Sequence, residues 1–216
     1  MAQDIIILGT GGNAIDIAEA VESNGAKYRV CGFLDDCAEL HGRRIGDWRI
    51  LGPLSLAPSF ADALFVNGIG SPLNFWRKPE IIAKTGLSAE RFATVVHRQA
   101  WVSPSARLGR GVAVLAQASV CARAVLGDHV IVLPNAVVSH DDFIGDYCCI
   151  ASGACLSGNV SVGRCSYIGA RAAVRGYVRL GEQVLVGMGA VVVKDVSDNQ
   201  VVVGTPARFL RPVLAA

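Results

Sequence analysis

Two short segments carry side chains able to do chemistry. The first is Ser139-His140-Asp141-Asp142, a histidine followed by two carboxylates. An imidazole titrates near neutrality, so it can take a proton from an attacking amine or hydroxyl, and an adjacent carboxylate raises its basicity slightly. The second is Gly9-Thr10-Gly11-Gly12-Asn13-Ala14, a glycine turn of the G-x-G-x-x-A form. Its amides and the helix N-terminus that follows suit a phosphate. Asp35 and Asp36 come about where a ribose-binding acid is expected after such a turn.

The histidine belongs to a repeat. Cut every six residues from Val102, the chain gives sixteen consecutive hexads that begin with Val, Leu or Ile, without an insertion. Those three residues make up roughly a quarter of an ordinary chain, so chance does not produce this run. Gly109, Gly127, Gly145, Gly163 and Gly181 each follow the first apolar residue of every third hexad. Three hexads therefore make one coil. Six residues suit a short strand plus a turn, with glycine expected to supply corner backbone angles. The expectation is a triangular parallel β-solenoid over residues 102–197, with Val102, Val120, Val138, Leu156 and Val174 stacked inward.

This frame singles out His140. One and two coils onward in its column stand Gly158 and Gly176, and Ala122 lies one coil back, so a groove free of side chains is expected to run along the axis from the histidine. Coils stack about 4.8 Å apart, leaving roughly 10 Å of groove for a thin ligand. His41, His97 and His129 have no comparable column.

The first hundred residues differ in kind. DIIILGTGGNAIDIAEAVESNG reads as a strand, a glycine turn and an amphipathic helix with Ala14, Ile17, Ala18 and Val21 on its apolar face. YRVCGFLDD is a second strand, and further strands are expected near 63–69 and 92–96, with a helix between them that Pro79 interrupts. The boundaries read as 1–98 for a small α/β nucleotide-binding domain and 99–216 for the solenoid with a C-terminal tail. Fewer than 100 residues provide about half of a doubly wound domain, enough for a mononucleotide and cramped for NAD.

Composition narrows the partners. At 52% hydrophobic residues the chain can bury a core, and a formal charge of +2 gives no electrostatic footprint for nucleic acid. No apolar run reaches membrane-spanning length and the N-terminus has no secretory pattern, so a cytoplasmic protein is expected. Seven cysteines at irregular spacing fit neither a disulfide framework nor a metal clamp, and they read as small hydrophobes. No metal site is expected.

The hexads resemble those of the left-handed β-helix acyltransferases. With the glycine turn, FLDD at 33–36, the SHDD segment and a closing Gly204-Thr205-Pro206-Ala207-Arg208, the whole chain is similar to the bacterial nucleotide-sugar acetyltransferases. That group includes sialic-acid O-acetyltransferases and the N-acetyltransferases of bacillosamine and perosamine synthesis. The resemblance implies an α/β half-Rossmann-like domain followed by a left-handed parallel β-helix. It also implies acetyl-CoA as co-substrate, His140 as general base and Asp141 orienting its ring. The nucleotide falls to Thr10, Gly11, Gly12, Asn13, Asp35 and Asp36, and acetyl-CoA to Gly158, Ala170, Gly176 and Met188, with amides near Gly158 placing the thioester carbonyl.

The implied reaction is acetyl transfer to the amine of a nucleotide-linked 4-amino-4,6-dideoxysugar for surface polysaccharide, GDP-perosamine first. A UDP-linked 4-amino-sugar and sialic-acid O-acetylation are the alternatives. A homotrimer with sites between neighbouring solenoids is expected. This chain has GGNAI where many members read GGHGK, and Leu133-Pro134 where the bacillosamine enzyme has Asn-Thr. From other classes, an NAD-dependent enzyme and a non-catalytic scaffold stay open, separable by NADH binding and by a thermal-shift response to CoA.

Overall fold

The computed structural model describes residues 2–213. The N-terminal part forms β1 (Gln3–Leu8), α1 (Gly12–Ser23), β2 (Tyr28–Leu34), β3 (Arg44–Ile45), β4 (Trp48–Gly52), β5 (Leu64–Asn67) and α2 (Lys78–Ala83). Its sheet runs in the order β3-β4-β2-β1-β5, parallel except for the short β3–β4 hairpin. The parallel strands are apolar on both faces because both are covered, and Ile5, Ile6, Ile7 and Leu8 are all buried. Pro79 stands at the start of α2, where its missing N–H costs nothing, so it opens that helix and does not interrupt it.

From Val95 onward, two-residue strands alternate with four-residue turns and build three flat faces. Face one contains Ser119–Val120, Val137–Val138, Cys155–Leu156 and Ala173–Val174, and face two contains Val125–Leu126, Phe143–Ile144 and Ser161–Val162. Face three runs from Val95–Val96 through Ile131–Val132, Cys149–Ile150 and Tyr167–Ile168 to Gln200–Val203, and closes with the antiparallel strand Arg208–Pro212. Up to Val192 the coils pair in an eighteen-residue register, for example Val120 with Val138 and Val138 with Leu156, and the last coil shortens to sixteen, where Leu185 pairs with Val201. The inward stack is as expected: Val120, Val138, Leu156 and Val174 are buried in one continuous core, with Val102 at its edge. The repeat extends one hexad further back than expected, because Val96 continues the apolar column.

The glycine column works differently from the expectation. Positive φ falls on the fourth residue of the hexads, as at Gln117 (59°), Arg123 (60°), Asp141 (61°) and Asn159 (64°). Gly127, Gly145 and Gly163 are absent from the positive-φ residues, and a Cβ on any of them would collide with backbone of the next coil. Close stacking of coils, not left-handed geometry, is what excludes a side chain there. Among the cysteines, Cys148, Cys149 and Cys165 are buried as small hydrophobes, whereas Cys37 and Cys155 are exposed; all seven are free thiols.

The α/β part docks on face three. Ala14, Ile17, Ala18 and Val21 of α1 share a core with Ala113, Leu115, Ile131, Leu133, Cys149 and Ala151 of the solenoid. Among the described residues no helix is long and apolar enough to cross a membrane.

Candidate active site

His140 and Asp141 occupy the middle of the turn Ser139–Asp142, at the corner joining face one to face two. The Nδ1 of His140 lies 2.8 Å from Oδ2 of Asp141. The same carboxylate receives Arg123 in fork geometry, Nε on Oδ1 at 2.6 Å and Nη2 on Oδ2 at 2.7 Å. The Arg123 guanidinium, followed by the imidazole, holds the Asp141 carboxyl well below the usual carboxylate range. An ionised carboxylate only accepts, so Nδ1 carries the proton and Nε2 is left with the free lone pair of a base. Half the His140 side chain is exposed, so the ring stands at the surface of the corner.

Arg123 went unnoticed in the sequence reading, yet the register points to it: it stands eighteen residues before Asp141 in the same column. The column beyond His140 also differs from the expected open groove. A Cβ built on Gly158 would lie 2.5 Å from His140 Nε2, so the ring itself fills that space. A coil later, a Cβ on Gly176 would come within 3.0 Å of the Gly158 carbonyl oxygen and 3.7 Å of the Ser157 Cβ, so close coil stacking keeps a side chain out of that position too. Ala170 and Met188 stand one above the other at a different corner, between face three and face one. Met188 is 81% exposed, and Ala170 packs against the core beneath the docked domain.

The glycine turn opens on a cleft of about 370 Å³ lined by Thr10, Gly11, Gly12, Asn13, Asp35, Asn74 and, from face three, Tyr167. Gly11 caps α1 without a side-chain bond, and a Cβ on Gly11 or Gly12 would meet nothing within 4 Å. The first-turn amides therefore face open space, the arrangement that receives a phosphate. Thr10 donates its hydroxyl to Asp35 Oδ2 (2.7 Å), the Cys37 amide donates to Oδ1 (2.9 Å), and Asn13 Nδ2 donates to the Gly70 carbonyl (3.0 Å).

Asp36 turns into an adjoining cleft of about 280 Å³ that it shares with Asp35, Arg77 and Lys84. Lys84 Nζ lies 2.8 Å from its Oδ2, and the Leu54 amide donates to Oδ1 at 3.0 Å; the Lys84 contact is the main reason its carboxyl sits below the usual range. Sequence reasoning gave no signal for Lys84, which is 48 residues from Asp36 and joins it only through the fold.

The residues expected to hold the nucleotide thus gather on one side of the solenoid and His140 on another. Face three carries the cleft, whereas the His140 corner joins the two remaining faces.

Comparison with known proteins gives one consistent result. The PglD N-terminal domain family matches residues 4–77. The acetyltransferase domain of PglB from Neisseria gonorrhoeae superposes with a TM-score of 0.84 at 32% identity, over 96% of this chain and 100% of that one. The same domain in complex with acetyl coenzyme A gives 0.85 at 33%, covering 97% and 100%. PerB from Caulobacter crescentus, in complex with CoA and GDP-perosamine, gives 0.83 at 30%, covering 96% and 97%. A search of curated protein sequences finds no match. With full-length likeness at this identity, the two-part architecture and the histidine corner, the chain belongs to the nucleotide-sugar acetyltransferases of the left-handed β-helix, hexapeptide-repeat superfamily.

Proposed function

We propose that this chain moves the acetyl group of acetyl-CoA onto the amine of a nucleotide-linked 4-amino-4,6-dideoxysugar, with GDP-perosamine as the acceptor. The observation that carries the reading is the Arg123–Asp141–His140 chain, which leaves Nε2 of an accessible imidazole free to accept a proton. The sugar nitrogen attacks the thioester carbonyl and becomes positively charged in the tetrahedral intermediate; Nε2 takes its proton, the C–S bond breaks, and the proton passes to the departing thiolate. Perosamine is supported by likeness to PerB, whose structure holds GDP-perosamine.

The glycine turn with Thr10, Gly11, Gly12, Asn13 and Asp35 would hold the diphosphate and ribose, and the Asp36–Lys84 cleft would take the base. The pantetheine arm would pass Gly158 and Gly176, with Ala170 and Met188 contributed across an interface. Two features support a homotrimer with sites between solenoids: the cleft and His140 lie on different sides of one solenoid, and the four acetyl-CoA residues are split between two corners. Thiol release from acetyl-CoA, measured with GDP-perosamine and with the UDP-linked analogue, tests the reading. It is overturned if neither sugar nucleotide elicits release.

A further inference from the structure

The fifth residue of each hexad points into the solenoid, and from Ala106 to Val196 that position is Ala, Val, Cys or Ser in every hexad but one. The exception is Asp142, 1% exposed. Placing a carboxylate in an apolar interior costs free energy unless its oxygens are matched by donors, so its presence needs a reason. Its bonds supply one. Oδ2 accepts the Ser139 N–H at 2.7 Å, and Oδ1 accepts the Val160 N–H of the next coil at 2.8 Å.

These are not the usual partners of those amides. The equivalent amides of Ser103, Cys121, Ser157 and Arg175 donate to backbone carbonyls seventeen residues onward, as Cys121 does to Val138 at 2.9 Å. At Ser139 the Asp142 carboxylate receives the bond instead. One side chain therefore ties together two turns: 139–142, which carries His140, and 157–160, which carries Gly158, the residue against which the imidazole rests. Burial pushes the Asp142 carboxyl up to about 7, while its two amide donors oppose that shift.

We propose that Asp142 is a positioning residue for His140, a clamp that sets the separation between the histidine turn and the Gly158 turn and so aims Nε2 at the acceptor amine. The proposal rests on His140 being the base.

Elsewhere in the molecule Ser166, at the same hexad position, accepts the Val184 amide eighteen residues on at 3.0 Å. Asp142→Ser is thus expected to keep the Val160 bond and the fold while losing the Ser139 bond; Asp142→Ala loses both. The test is a double-mutant cycle on the full chain, with steady-state kinetics in GDP-perosamine and acetyl-CoA and thermal melting on each variant. Asp142→Ser is expected to lower kcat about tenfold through misaimed Nε2, with both KM values nearly unchanged. In a His140→Ala background the same substitution is expected to change the residual kcat by less than about twofold, because a residue that acts through another has nothing left to act on.

An equal loss in both backgrounds, or no loss from either Asp142 variant, overturns the proposal, as does failure of both variants to fold. If His140→Ala alone leaves kcat intact, it is the base assignment that fails, independently of Asp142.

Discussion

The imidazole of His140 fills the place a side chain at residue 158 would need, with Nε2 2.5 Å from where that Cβ would lie. Gly158→Ala is therefore expected to push the ring off its seat. Because the ring is half-exposed and free to swing outward, the melting temperature is expected to hold while kcat drops by about 10²-fold, the scale of a 1 Å misplacement. Kinetics alongside a melt check this; an active Gly158→Ala enzyme would show that ring position is unimportant.

Asp141 orders the ring and Arg123 orders Asp141. Asp141→Asn can still accept from Nδ1 through its amide oxygen, so its loss in kcat is expected to be smaller than that of His140→Ala. Arg123→Gln is expected to be milder again, with melting unchanged because the ion pair is exposed. The order His140→Ala, Asp141→Asn, Arg123→Gln in falling severity is the measurable outcome.

Asp35 faces the larger cleft, and Asp36 the adjoining one. Removing either is expected to raise KM for the sugar nucleotide and spare that for acetyl-CoA, by about 10- to 100-fold if a charged hydrogen bond is lost. Equal weakening of both substrates would mean that the nucleotide does not bind here.

His129 is buried between Phe92 (4.5 Å between rings, edge-on) and Tyr147 (5.1 Å, stacked), and among the described residues its Nδ1 has no hydrogen-bond partner. Burial holds its pKa down to about 4. The unfolded chain, with histidine near 6.5, takes the proton first, so this group's contribution is present above pH 6.5 and is lost as pH falls toward 4, by up to about 3 kcal/mol. Asp142 acts oppositely, since its raised pKa makes the folded state lose stability as pH rises toward 7. Comparing His129→Phe with wild type cancels that opposing slope, and the variant is expected to keep more of its stability between pH 6.5 and 4. Parallel melting curves would contradict this.

The solenoid was legible because one apolar residue per hexad is both what packs the coil and what the eye can count. Columns inherit the same legibility: His140, Gly158 and Gly176 share one, and Arg123 could have been found by subtracting eighteen from Asp141. Two things escaped because they depend on contacts across the period. The glycine column owes its composition to backbone in the next coil, and Asp142 stands out only once the fifth position is known to face inward. The docking of α1 on face three, the Asp36–Lys84 pair and the split of Ala170 and Met188 from Gly158 are tertiary facts that no local pattern encodes.

The central claim is that His140 removes the proton from the acceptor amine, and CoA release by His140→Ala under saturating GDP-perosamine and acetyl-CoA at neutral pH tests it most directly. The account predicts a kcat lower by about 10²-fold or more with KM for acetyl-CoA nearly unchanged. A variant that keeps most of its activity would contradict it.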